Sequence, residues 1–314
     1  MRSSTLVIVS SLKGFQGRNR SLGRKFSSAA ASQVRKAGLP PLFMTVTSAS
    51  VFFYTVAHIM TLPHAALMFI AAFFAGVVNS IAGGGMLLVF PLLIWLGTDP
   101  KIANATCTVA LWPGLFGGLF GYRREMSDSS LILIRLGVVS IVGGGFGAWL
   151  LIATPSATFA RLVPFLILFA TMLFMVQGPV TRWLRLPTSS SESTKAWWIG
   201  AMIFQFFSAL YGGYFGAGNG ILMLAAMGLL GMHDIHRANG IKNFLGICIN
   251  CMAVFAFSIS HLVVWPKALL MAVGTLAGGY VGSRMAQRVG RTFIRRAIVV
   301  IGFAITIVML WRMR

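Results

Sequence analysis

Acidic residues are almost missing from this chain: 5 Asp and Glu stand among 314 residues, against 26 Lys and Arg. Charge of either sign is scarce, at 10% of the residues, where soluble domains carry about 25%. So little charge cannot cover a surface that faces water on all sides, so an ordinary soluble fold is excluded. The acids Asp99, Glu125, Asp128, Glu192 and Asp234 all fall in or near the loops between apolar runs. With no carboxylate in the middle of an apolar segment, a cation site and a carboxylate proton relay are both disfavoured. Cysteine is limited to Cys107, Cys248 and Cys251, an odd set inside apolar runs that builds no disulfide framework. The C-x-x-C of Cys248 and Cys251 reads as two small side chains at a helix contact, because no partner ligands for a metal or redox pair lie nearby in sequence. No H-E-x-x-H, G-x-S-x-G or phosphate-binding P-loop occurs. An ATP-driven pump and an intramembrane hydrolase are therefore disfavoured, the chain is read as no enzyme, and no cofactor is called for.

What is present is apolar: 57% of the residues are hydrophobic. Apolar runs fall at 64–82, 86–97, 102–121, 131–153, 159–177, 197–216, 221–232, 242–260, 267–284 and 292–311. They are continuous rather than alternating, which predicts helices and not barrel strands. A crossing needs about 20 residues, and eight runs have that length. The runs at 86–97 and 221–232 are too short and each follows a glycine cluster, so they are expected to be half-helices or re-entrant segments. The fold class is thus an all-α polytopic membrane protein. The formal net charge of +21 belongs to loops and termini that meet lipid headgroups. No nucleic-acid motif accompanies it.

Residues 1–59 are set apart by Arg2, Lys13, Arg18, Arg20, Arg24, Lys25, Arg35 and Lys36, many serines and no acid. That is the composition of a transit peptide. An over-extended reading frame is the preferred explanation, with Met44 or Met60 as the start, and the extension is expected to be disordered or absent from the mature protein. Residues 60–178 and 197–314 then form two membrane repeats joined by a polar linker at 179–196. They overlay without gaps at an offset of 135 (220 − 85), which pairs Gly83 with Gly218, Gly85 with Gly220, Asp99 with Asp234, Asn104 with Asn239 and Gly144 with Gly279. Each repeat has four long helices and one short half-helix. Loop arginines such as Arg123, Arg124, Arg182 and Arg185 mark the cytoplasmic side. If the short segments cross, each repeat has an odd number of passes and the two are inverted, a plan common in secondary transporters. If they only dip and return, the repeats are parallel.

Two pairs of polar clusters carry the candidate chemistry. The first pair is Asn79, Ser80, Gly83, Gly84 and Gly85, matched by Gly216, Gly218, Asn219 and Gly220. Glycines break a helix, and a break followed by a short helix leaves amide donors at a positive helix end, an arrangement that binds anions. Close helix packing is the plainer reading; it is preferred for Gly143–Gly147 and Gly274–Gly282, but not for the breaks, which recur at matched places. The second pair is Asn104, Thr106 and Thr108, matched by Asn239, Lys242 and Asn243. Asn104 and Asn239 could simply cap helices. Lys242 either snorkels to the interface or faces a cavity, where its ammonium would suit an oxyanion.

At these clusters the sequence resembles the sulfite exporter family of TauE/SafE type. The resemblance rests on Ala75–Gly85 with Pro91, Ala103–Gly114, Gly121–Arg123, Gly212–Gly218 and Ala238–Asn243, and extends over about residues 62–311. It implies a permease of the cell inner membrane for sulfite, organosulfonates or related small anions. Cys107 stands where similar sequences commonly have serine, and the tail before Met60 has no family counterpart. The expected function is a secondary transporter exporting a small anion; a passive anion channel and a non-transporting membrane scaffold stay open beside it. Expected partners are that anion and the bilayer, with self-association left open.

Overall fold

The computed structural model describes residues 62–123, 130–183, 195–230, 232, 234–285 and 291–312. The basic extension at 1–59, most of the linker, and the loop residues Arg124, Arg185 and Arg288 lie outside the described residues. The helices are α1 (Leu62–Ala82), α2 (Met86–Trp95), α3 (Pro100–Gly121), α4 (Ser130–Ala153), α5 (Ser156–Trp183), α6 (Lys195–Tyr214), α7 (Asn219–Leu229), α8 (Ile235–Ile259), α9 (Trp265–Met285) and α10 (Arg291–Arg312). No strand occurs among the described residues.

Five helical stretches are long and apolar enough to cross a bilayer: Leu62–Ile81, Pro100–Gly121, Ile132–Ala153, Ser156–Val176 and Ile235–Ile259. The sequence predicts eight. Of the other three, α9 has the length, but Lys267, Ser283, Arg284 and its glycines dilute its apolar content, and α6 and α10 have side chains described over only part of their length. The two short runs are indeed short helices, of 10 residues in α2 and 11 in α7. The linker is narrower than expected, because α5 continues through Gly178 and Pro179 to Trp183 and α6 starts at Lys195. A proline removes one amide donor from a helix, and that did not end this one.

The helix starts are set by short-range chemistry. Asp99 accepts from the amides of Lys101 (2.9 Å) and Ile102 (3.3 Å) at the head of α3, where Pro100 follows it. Asp234 accepts from His236 (2.8 Å) and Arg237 (3.4 Å) at the head of α8. These aspartates are the N-caps. Asn104 and Asn239, for which capping was one reading, lie more than a turn deeper and are buried.

Packing is exchanged between the two segments of the chain. Helix α4 lies against α6 and α8, and α9 lies against α1 and α3. Small residues allow the close approach. A Cβ on Gly144 would stand 2.8 Å from the Ile249 Cα, one on Gly76 would stand 2.9 Å from the Thr275 Cα, and one on Gly114 would stand 2.8 Å from the Thr275 carbonyl oxygen. A Cβ on Gly279 would likewise stand 3.2 Å from the Gly114 Cα. Cys248 sits at the α4–α8 contact, with its sulfur 3.7 Å from the Cβ position of Gly137, whereas Cys251 is exposed. Outward faces carry Phe74, Phe146, Trp149, Phe165 and Phe207 in the open, a surface matched to lipid.

Candidate functional site

Helix α1 stops at a glycine break in which Gly83 has φ +82°, and α6 stops at a second break in which Gly216 and Gly218 have φ +81° and +75°. These left-handed values favour glycine. The breaks meet. A Cβ on Gly83 would come within 2.6 Å of the Gly220 Cα, so the two backbones touch there. Beside the contact lies a cavity of about 50 Å³, enough for a few waters or one small anion.

Asn79, Gly83, Gly216, Asn219, Gly220 and Lys242 line this cavity, which brings together six of the residues singled out from the sequence. Lys242 is 2% exposed. Its Nζ donates to the carbonyls of Asn79 (3.2 Å) and Ser80 (3.1 Å), at the broken end of α1. A helix C-terminus leaves carbonyls unmet and carries partial negative charge, so an ammonium is well placed there. The snorkelling alternative is thereby replaced: the side chain crosses to another helix and borders the cavity. Asn219 is oriented by Ser208, whose hydroxyl donates to Asn219 Oδ1 at 2.8 Å. The amide NH2 is then the end that lies over Gly212, itself a cavity residue. Among the described residues the lining includes one ammonium and no carboxylate.

The other candidates lie elsewhere. Gly84 packs on the Phe174 ring, Gly85 on the Ala75 carbonyl and Gly218 on Ala170. At these positions the chain is in close contact with its neighbours. Asn104, Thr106 and Thr108 hold backbone together: Asn104 Nδ2 donates to the Tyr214 carbonyl (2.9 Å), Thr108 Oγ1 to the Asn104 carbonyl (3.0 Å), and Val264 N donates to Thr106 Oγ1 (3.1 Å). Asn104 thus ties down the broken end of α6 as Lys242 ties down that of α1. Ser80, Asn239 and Asn243 are buried but are not among the cavity residues.

The amide donors expected at the short helices are partly spoken for. Leu87 N donates to Gly84 O (3.1 Å), Leu88 N to Gly85 O (3.1 Å), Asn219 N to Gly216 O (3.2 Å) and Ile221 N to Gly218 O (2.9 Å). Unmet amides are costly away from water, and the tightened first turns engage these. Sequence reasoning also missed Leu115, Gly212, Met223, Gly246, Ile249 and Asn250, which complete the lining. Asn250 carried a usable signal as a polar residue inside an apolar run, and Gly212 stands in a motif that carries the resemblance; the other positions carried none.

Comparisons with known proteins match this architecture. A family model described as "Sulfite exporter TauE/SafE" covers residues 67–309. The chain is 26% identical to a "Probable membrane transporter protein" of Haemophilus influenzae over 251 residues, 78% of this chain and 94% of that one. It is 28% identical to "Probable membrane transporter protein ORF9" of Sinorhizobium sp over 248 residues, 77% of this chain and 90% of that one. It is 26% identical to "Probable membrane transporter protein YfcA" of Escherichia coli over 242 residues, 75% of this chain and 85% of that one. No solved structure matches the chain. With its apolar helices, paired glycine breaks and matched length, the chain belongs to the sulfite exporter TauE/SafE family of multi-pass membrane transporters.

Proposed function

We propose that this protein is a secondary transporter that exports a small anion across the cell inner membrane, with sulfite, an organosulfonate or a related oxyanion or carboxylate as substrate. The observation that carries this reading is the cavity where the two breaks meet, bordered by Lys242, Asn79 and Asn219, with no carboxylate among the described lining residues. A buried cation and amide groups suit a compact oxyanion, and the surrounding apolar helices strengthen every such contact. The curated relatives carry transporter names.

The same geometry supports alternating access. Residues 60–178 and 197–314 act as two repeats, inverted relative to one another, that rock about the Gly83–Gly220 contact. The exchanged packing of α4 and α9 supports this division. The test is flux in proteoliposomes under an imposed proton gradient. The expected result is concentrative movement of sulfite or methanesulfonate by the wild type, lost in Lys242→Gln. Equilibration without accumulation would instead indicate a channel, and absence of flux for any small anion would remove the transport reading.

A further inference from the structure

The α1–α8 contact has polar side chains on both sides of the Lys242 tether. On one side lie the cavity residues Asn79 and Lys242; on the other lie their chain neighbours Ser80 and Asn243, with Asn239 one turn earlier on α8. Ser80 is 2% exposed, Asn239 1% and Asn243 0%. Ser80 Oγ and both amide atoms of Asn239 and of Asn243 have no hydrogen-bond partner. Ser80 Oγ and Asn243 Nδ2 converge on Gly118 of α3: the point a Cβ would occupy there is 3.1 Å from the first and 2.7 Å from the second.

Positions matched by the offset of 135 differ in their donors, although Asn104 Oδ1 is also unmet. Asn104 and Thr108, the counterparts of Asn239 and Asn243, spend their donors on backbone carbonyls. Buried polar groups left unmet reduce stability, and groups kept in that state cluster where a ligand meets them. The unmet groups here are a hydroxyl and two amides, each with a donor end, and no carboxylate meets them among the described residues; the chemistry those donors recognise is that of a small oxyanion. His236, one turn before Asn239, lies with its ring 6.2 Å from that of Tyr122, the residue before Arg123. The cluster therefore lies between the central cavity and the membrane face that carries Arg123.

We propose that Ser80, Asn239 and Asn243 form a second polar station over Gly118, which holds the transported oxyanion between the central cavity and the Arg123 face. This rests on the transport reading above. The full-length protein is tested with Ser80→Ala, Asn243→Leu and, as a control for packing, Thr108→Val, measuring thermal stability and sulfite efflux from proteoliposomes. The expected result is that Ser80→Ala and Asn243→Leu keep or raise Tm, since each removes unmet polar atoms, while efflux falls about ten-fold for each lost donor. Thr108→Val lowers Tm, because it breaks a bond that is made. The station is overturned if the first two variants export sulfite at the wild-type rate while Lys242→Gln does not, or if they lose Tm as Thr108→Val does. If the wild type moves no anion, the transport reading fails and the station fails with it.

Discussion

Gly83 and Gly220 are in backbone contact, with 2.6 Å between the Cβ position of the first and the Cα of the second. This is where the two broken helices lean on each other, and Gly83 is there at φ +82°. Gly83→Ala would add a methyl in a left-handed conformation against a backbone that cannot yield. A loss of about 2 kcal/mol or more is expected, read as a lower Tm of the detergent-solubilised protein. Gly97 has φ +78° with nothing within 4 Å of its Cβ position, so Gly97→Ala should cost only about 1 kcal/mol.

Gly212 keeps room for an amide. A Cβ there would fall on Asn219 Nδ2, so Gly212→Ala must push that side chain off its bond with Ser208 or into the cavity. Anion flux is expected to fall about ten-fold or more, with KM for sulfite raised. An unchanged KM would show that the Asn219 amide does not meet the anion.

Lysines close two helix ends, and the two should respond differently. Lys101 Nζ donates to Ile152 O (2.8 Å) and Thr154 O (2.7 Å), at the end of α4 and away from the cavity. Lys101→Met is expected to cost about 1–3 kcal/mol while flux per folded molecule stays near wild type. Lys242→Gln should lose flux out of proportion to any change in Tm, because Lys242 also borders the cavity. Comparing both variants by Tm and by flux separates a capping role from a binding one.

The two aspartate caps offer a check on local structure. Asp99→Ala and Asp234→Ala should each lower stability by about 1 kcal/mol. Asp99→Asn and Asp234→Asn should come close to restoring it, since an amide oxygen can accept the same bonds. Thermal unfolding of the four variants measures this.

Much of the architecture was legible because it depends on local chemistry. Apolar runs, an aspartate before Pro100 and another before Ile235, and glycine clusters before two short runs are all written within a few residues of chain. The cavity was legible in part for the same reason: the glycine breaks and Lys242 are conspicuous in an apolar background. What the clusters did not show is which of their residues border the cavity. A helix turns about 100° per residue, so Lys242 and Asn243 look to different sides of α8, as do Asn79 and Ser80 of α1.

The sequence by itself determined that this chain lives in a bilayer, where its helices are capped and broken, and that its apolar runs carry a lysine and amides but no carboxylate in their middle, because burial of so much apolar surface and the strain of left-handed residues are decided locally. Only the tertiary structure decided that α4 and α9 exchange partners, that Gly83 rests on Gly220, and that Lys242 spans 163 positions of sequence to close the end of α1. Those contacts depend on which helix faces come together, and facing is a property of the packed bundle that no run of neighbouring residues contains.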